Sequence, residues 1–196
     1  MKTFFVALII TLGLGSSLNA QEHTNRPPQP PPTTSTPSSV PNTPAPGPGT
    51  WSKFTSDDGR FSVLMPGVPE DKVETTPSDH GPYTTHLFIL RQPPHVFLIG
   101  YVDYDPSFNF NRQAELEMNR DNFVKGLNAT LLTTKFVTID GYSALEFTAE
   151  LPQRIFRSRV YMVGRRPYQI VIGSPKGVDD SANIERFFNS FKVASR

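Results

Sequence analysis

The 196-residue chain contains no cysteine. That removes a structural disulfide, a thiol nucleophile, a thiolate metal site and a lipid-bearing N-terminal cysteine together. Catalytic signatures are also missing. No G-x-S-x-G, H-E-x-x-H, Walker or dinucleotide fingerprint occurs, so the sequence names no catalytic residue, no metal and no cofactor. Histidine is scarce, with only His80, His86 and His95 beyond Trp51. His86 and His95 fall in strand-like runs and offer a conceivable metal or acid–base pair, although ordinary strand histidines are the simpler account. Asp103 and Asp105 offer two carboxylates at a strand end, without EF-hand spacing to support a cation. Finally, an excess of one charge is absent. Before Trp51 the only charged residues are Lys2, Arg26 and Glu22, so of 19 basic and 18 acidic residues 17 of each remain beyond it. A neutral domain has no basic field to draw nucleic acid or anionic lipid.

What is there begins with an address. Met1 to Ala20 has a lysine at position 2, an apolar run from Phe4 to Leu14 and a small-residue ending, Leu18-Asn19-Ala20. This reads as a signal peptide cleaved after Ala20, hence an extracytoplasmic protein, periplasmic or secreted. An uncleaved anchor is the competing reading, but the run falls short of the roughly 20 apolar residues a span needs. After cleavage no strong membrane insertion is expected. Residues 21–50 form a Pro/Thr/Ser-rich linker: 10 of the 20 prolines lie between Pro27 and Pro48, and no charge occurs from Pro27 to Thr50. Such a stretch cannot repay the entropy of folding. Its polyproline II bias gives it a reach on the order of 70 Å, as a passive spacer or as a docking segment.

Residues 51–196 are expected to form a single α+β domain, a largely antiparallel β-sheet flanked by helices. Trp51 to Thr55, Phe61 to Met65, Tyr83 to Leu90 and Val96 to Tyr104 read as strands, with Lys72 to Thr76 as a short edge strand. Asn111 to Leu127 turns to helical spacing, placing Leu116, Phe123, Val124 and Leu127 on one stripe and Glu115 off it. Leu131 to Ile139 and Tyr142 to Leu151 meet at Asp140-Gly141, a strong hairpin signal. The organising stretch is Arg154 to Gly173, two strands about the turn Gly164-Arg165-Arg166-Pro167. Its second arm, Tyr168 to Ile172, is apolar on both faces and suits an interior strand. Asp179 or Asp180 then caps a last helix with Ile184, Phe187, Phe188 and Phe191 on one face. The whole implies one sheet of six to nine strands with two helices.

Five arginines fall within Arg154 to Arg166: Arg154, Arg157, Arg159, Arg165 and Arg166. With a tight connection at Leu151 to Arg154, Glu146 stands opposite Arg159 and Thr148 opposite Arg157, so these two read as structural cross-strand partners. Arg165 and Arg166 have no predicted acidic neighbour. With Tyr168 they are the expected partner-binding residues, the Arg fork suiting a carboxylate or phosphate.

Phe61-Ser62-Val63-Leu64-Met65-Pro66-Gly67-Val68-Pro69, the hairpin Asp140-Gly141-Tyr142 leading to Glu146-Phe147, the Arg-rich strand and Pro175-Lys176-Gly177 before a Phe-rich helix together resemble small PsbP-like exported bacterial domains. The resemblance covers Trp51 to Val193 and implies an α/β/α sandwich around an antiparallel sheet. The photosystem member of that fold implies an accessory, non-catalytic protein, but no residue here carries a photosynthetic role over.

The leading expectation is a non-enzymatic accessory or binding domain of the cell envelope, its partner a protein or envelope component. A small apolar-ligand carrier and, more weakly, a hydrolase with an unrecognised site stay open, as does the oligomeric state. Export is directly testable: N-terminal sequencing of the product released by its own host should begin at or near Gln21, and a full-length cytoplasmic product would overturn the signal-peptide reading.

Overall fold

A computed structural model of the chain describes residues 49–109 and 111–194. The expected signal peptide at 1–20 and nearly all of the linker at 21–50 lie outside the described residues. The strands are β1 (Ser52–Ser56), β2 (Phe61–Met65), β3 (Glu70–Thr76), β4 (Tyr83–Gln92), β5 (His95–Tyr104), β6 (Thr130–Ile139), β7 (Tyr142–Leu151), β8 (Arg154–Val163), β9 (Arg166–Pro175) and β10 (Lys192–Val193). Helix α1 (Arg112–Leu127) falls between β5 and β6, and α2 (Ser181–Ser190) between β9 and β10.

Seven strands form one antiparallel sheet in the order β3-β4-β5-β9-β8-β7-β6. The doubly apolar run becomes β9, near the middle of the sheet and buried from Pro167 to Ser174. An interior strand of this kind must be covered on both sides. On one side α1 packs over β7, β8 and β9, where Phe123 meets Phe147 and Phe156 edge-on at 5.5 and 5.7 Å between centroids. On the other side α2 and a three-stranded sheet, β1-β2-β10, close over Phe97, Ile99, Tyr101, Tyr168, Ile170 and Ile172. The fold is therefore α+β, an antiparallel sheet between two covering layers.

The second sheet corrects the expectation of a single one. The β1–β2 hairpin joins none of the seven strands. It pairs instead with β10, two residues after α2 that no hydrophobic period announces, tied further by the Ala194 amide donating to Arg60 O at 2.7 Å. The last helix is also one residue shorter than its apolar pattern suggests. Phe191 lies just past its end, yet remains buried between Phe61 and Tyr161.

Local chemistry explains the element ends. Asn111 is the N-cap of α1, its Oδ1 accepting from the amides of Gln113 and Ala114 at 2.9 and 3.2 Å. Asn128 ends the helix at φ 51°, and the Ala129 amide reaches back to Val124 O. The β6–β7 turn is Asp140-Gly141 at φ 51° and 81°, the double left-handed geometry a two-residue hairpin needs.

The buried face of α1 is rotated from the apolar stripe. Glu115 and Asn119 are buried with Leu116 and Phe123, while Val124 and Leu127 stay half-exposed. The Tyr104 hydroxyl donates to Glu115 Oε1 at 2.5 Å, and Asn119 Nδ2 donates to the same oxygen at 3.1 Å. Burial pushes the Glu115 carboxyl up despite these two donors. A hydrophobic period has no means of registering such a polar seam.

Phe187 is 0% exposed and meets Phe97 edge-on at 5.2 Å. Phe187→Ala is expected to cost about 3 to 5 kcal/mol in chemical denaturation. A midpoint equal to that of the unaltered protein would mean that α2 does not close this core.

Candidate functional site

The arginine register is observed as read: Glu146 stands opposite Arg159 and Thr148 opposite Arg157, with Leu151 opposite Arg154. Arg159 donates to Glu146 Oε1 through Nε at 2.8 Å and Nη2 at 2.6 Å, and its guanidinium lies 5.0 Å from the Phe188 ring centre. Arg157 differs. Half-buried, it makes no hydrogen bond or ion pair among the described residues, and only its field is felt, at Asp179, whose carboxyl is lowered chiefly by its hydrogen bonds with Ser181 and in part by Arg157.

The turn behaves otherwise than expected. It is the two-residue Gly164-Arg165, with Gly164 at φ 63°, and Arg166 already pairs with Val163 inside the ladder. Arg165 Nη2 donates to the carbonyls of Asp105, Pro106 and Phe108 at 3.2, 3.2 and 2.6 Å. Arg166, far from lacking an acidic neighbour, donates to Asp103 Oδ1 through Nε and Nη2, both at 2.6 Å, and through Nη1 to Asp58 O at 2.8 Å. Tyr168 is 2% exposed, and its hydroxyl donates to Gly59 O at 2.9 Å. These three residues stitch the start of β9 to the loops around it instead of forming a free patch. The reason is sheet order. β9 runs antiparallel to β5, so the start of β9 lies beside the end of β5, where Asp103 and the 105–108 loop are.

The same order builds an aromatic row. His86, Tyr101, Tyr168 and Tyr161 are direct register partners across β4, β5, β9 and β8, all on the α2 side. His86 stacks on Tyr101 with centroids 4.3 Å apart and planes 10° from parallel, while the Arg166 guanidinium lies 4.7 Å from the Tyr101 ring centre. Asp103 Oδ2 is 3.6 Å from His86 Nε2, so one carboxylate faces both the imidazole and the guanidinium. Burial pushes the Tyr101 hydroxyl up to about 12, although Arg166 pulls the other way. Beside this row a groove of about 530 Å³ is lined by Phe54, Asp58, Asp71, His86, Phe88 and Tyr101.

The other sequence candidates come apart. His86 and His95 do not meet: His86 sits opposite Tyr101, whereas His95 opens β5 opposite Gln92. Asp105 takes the amide and hydroxyl of Ser107 at 2.9 and 2.7 Å, away from Asp103. No group of three or more metal-ligating side chains occurs among the described residues. His95 Nδ1 lies 3.2 Å from Asp180 Oδ2 without hydrogen-bond alignment, and the buried Ser174 hydroxyl donates to that same oxygen at 2.5 Å. The carboxylate therefore stands between serine and histidine. This order is not that of a Ser-His-Asp triad, in which the imidazole stands between hydroxyl and carboxylate.

A second groove, of about 340 Å³, opens on the α2 side above β6, β7 and β8. Its wall carries Arg157, Lys135 and the Arg159–Glu146 ion pair, with Thr133 and Thr148 between them, and its apolar part is Ile184 and Phe188. Here an unengaged guanidinium meets an apolar surface. Sequence reasoning assigned Arg157 to the ladder because Thr148 faces it. What it missed is that a threonine does not neutralise a guanidinium.

No family model matches the chain, and no curated protein is similar to it in sequence. Solved structures are similar in shape. Cyanobacterial PsbP (CyanoP) from Synechocystis sp. PCC 6803 superposes with a TM-score of 0.51 at 13% identity, covering 75% of this chain and 94% of that one. A protein from Bacteroides thetaiotaomicron VPI-5482 gives a TM-score of 0.34 at 13% identity, over 74% of this chain and 48% of its own. With the CyanoP superposition, the strand order and two covering layers make the architecture an α+β sandwich about an antiparallel sheet. Specifically, it is the PsbP-like fold that the sequence motifs resemble.

Tyr101 supplies a pH test. A folded value near 12 against an ordinary 10 means that its contribution to stability is complete below pH 10 and is lost as pH rises towards 12. Thermal melts should therefore fall steeply across that window, and less steeply in Tyr101→Phe. Identical alkaline profiles for the two proteins would show that Tyr101 ionises freely.

Proposed function

We propose that this chain is an exported, non-catalytic binding domain of the cell envelope, held on the Pro-rich segment as a tether, which docks an anionic segment of a protein or envelope component. The observation that carries this reading is Arg157. A half-buried guanidinium that ion-pairs with no carboxylate among the described residues, its field reaching only Asp179, above an apolar surface of Ile184 and Phe188 in an open groove of about 340 Å³, suits a carboxylate or phosphate on an extended partner. The fork gives a bidentate contact and the rings give area. Lys135 on the rim adds charge without fixed geometry.

Arg165, Arg166 and Tyr168 take a supporting role in this reading. Their hydrogen-bonding capacity is largely spent on Asp103, Asp58, Gly59 and the 105–108 carbonyls. Docking, as opposed to carriage of an apolar ligand, is favoured because both grooves described above are open to solvent and edged by charge. No helix among the described residues is long and apolar enough to cross a membrane, so the tether, not the domain, would set the distance from a surface.

The test is retention of the full chain by its own envelope fraction, comparing Arg157→Glu with Arg165→Glu. Arg157→Glu should lower retention roughly tenfold at low salt, with a smaller difference as salt rises and screening shortens. Equal retention of Arg157→Glu and unaltered protein, with unchanged melting, would overturn the assignment of this groove.

A further inference from the structure

The two edges of the large sheet are unlike. β3, at one edge, is Glu-Asp-Lys-Val-Glu-Thr-Thr, four charges in seven residues. That is the usual protection of an open edge against another chain. β6, at the other, is Thr-Leu-Leu-Thr-Thr-Lys-Phe-Val-Thr-Ile, ten residues with one charge and no proline. Among the described residues its outer backbone groups face no strand, since β6 is last in the sheet order, and the one hydrogen bond it receives from a helix is at a side chain, Arg120 Nη1 of α1 donating to Thr134 Oγ1 at 3.2 Å. It also displays apolar side chains: Leu132 and Phe136 are each 46% exposed and Leu131 38%. A long, flat, nearly uncharged strand edge is a template for pairing.

We infer that β6 pairs antiparallel with β6 of a second copy of this chain, about a two-fold axis at Phe136. Several observations favour a second copy and define its register. The bulge between Leu131 and Thr133 interrupts regularity at the N-terminal end and leaves Thr133 to Ile139 as the flat, usable part. A two-fold pairing is self-complementary, each contact occurring twice. Centred on Phe136, it sets Phe136 against Phe136 and Thr134 against Thr138 of the second copy on the α1 side. On the α2 side it sets Lys135 against Val137 and Thr133 against Ile139 of the second copy. Aromatic and threonine pairs are the favourable cross-strand combinations. No like charges stand opposite each other, and Lys135 keeps its own register partner Glu146. On the α1 side Phe136 borders an open groove of about 800 Å³ with Arg112, Gln113 and Leu116, which the second copy's strand would wall off. The result is a single sheet of fourteen strands running through the dimer, twice the seven of one chain.

Seven paired residues with one ring pair make a small interface, so the expected dissociation constant is on the order of 10 μM. Sedimentation equilibrium of the full chain, expressed with its own N-terminus, should show a monomer–dimer equilibrium. Phe136→Lys, and separately Thr138→Lys, should weaken it tenfold or more while the thermal midpoint of the dilute protein is unchanged. The chain has no cysteine, so one introduced thiol reports register cleanly. Phe136→Cys should be captured as a dimer by a short bis-thiol cross-linker, and Thr133→Cys should not. A single monomeric species at about tenfold above that concentration overturns the inference. So does a dimer indifferent to both lysine variants, or equal capture at the two thiols. A monomer that takes up a strand from another protein along β6 overturns it equally. Retention by the envelope fraction is read from Arg157, on the α2 side, so either result can fail while the other stands.

Discussion

The constraint on which the rest depends is that β9 is apolar on both faces. A strand with Tyr168, Ile170 and Ile172 on one side and Val171 on the other cannot lie at the surface, because each face left in water forgoes about 25 cal/mol per Å² of apolar area. Two covering layers are therefore required. α1 supplies one through Leu116 and Phe123. The other takes two pieces far apart in sequence, the β1–β2 hairpin before the large sheet and α2 after it, joined by β10. Their shared product is a continuous aromatic cluster in which Phe61 touches Phe54, Phe88, Tyr101, Tyr168 and Phe191.

Polar groups caught between these layers are satisfied in ways that explain which charges remain available. Arg166 enters beside the aromatic row and is matched there by Asp103, with 23% of its side chain exposed. Removing either partner would leave a partly desolvated charge, which is costlier than losing a surface pair. Arg159 is settled similarly by Glu146 and the face of Phe188. Arg157, two residues along the same strand, receives only a threonine. The difference between a structural and an available guanidinium in this protein is thus one side chain on the neighbouring strand. The edges divide by the same logic: β3 spends charge on keeping other strands away, whereas β6 spends almost none.

Much of the fold was legible in the sequence. Period-two alternation in β7 and β8 and the tight connection from Leu151 to Arg154 together determined the Glu146–Arg159 and Thr148–Arg157 pairs, because a two-residue turn permits one register. The double-faced run at β9 determined an interior strand, and the Phe-rich spacing of α2 determined a covering helix. Each is a local rule acting over a few residues. What only the tertiary structure decided is everything that depends on strand order. That β5 and β9 are neighbours brings Asp103 to Arg166, the 105–108 carbonyls to Arg165 and Gly59 to Tyr168, and so turns an apparent contact patch into a stitched corner. That β10 pairs with β2 splits off the second sheet. That Tyr104 points at α1 draws Glu115 into a buried seam. These contacts join residues up to 132 positions apart, the separation of Val193 from its register partner Phe61. No periodicity reaches that far, because hydrophobic pattern specifies which face of a strand is buried but not which strand lies beside it.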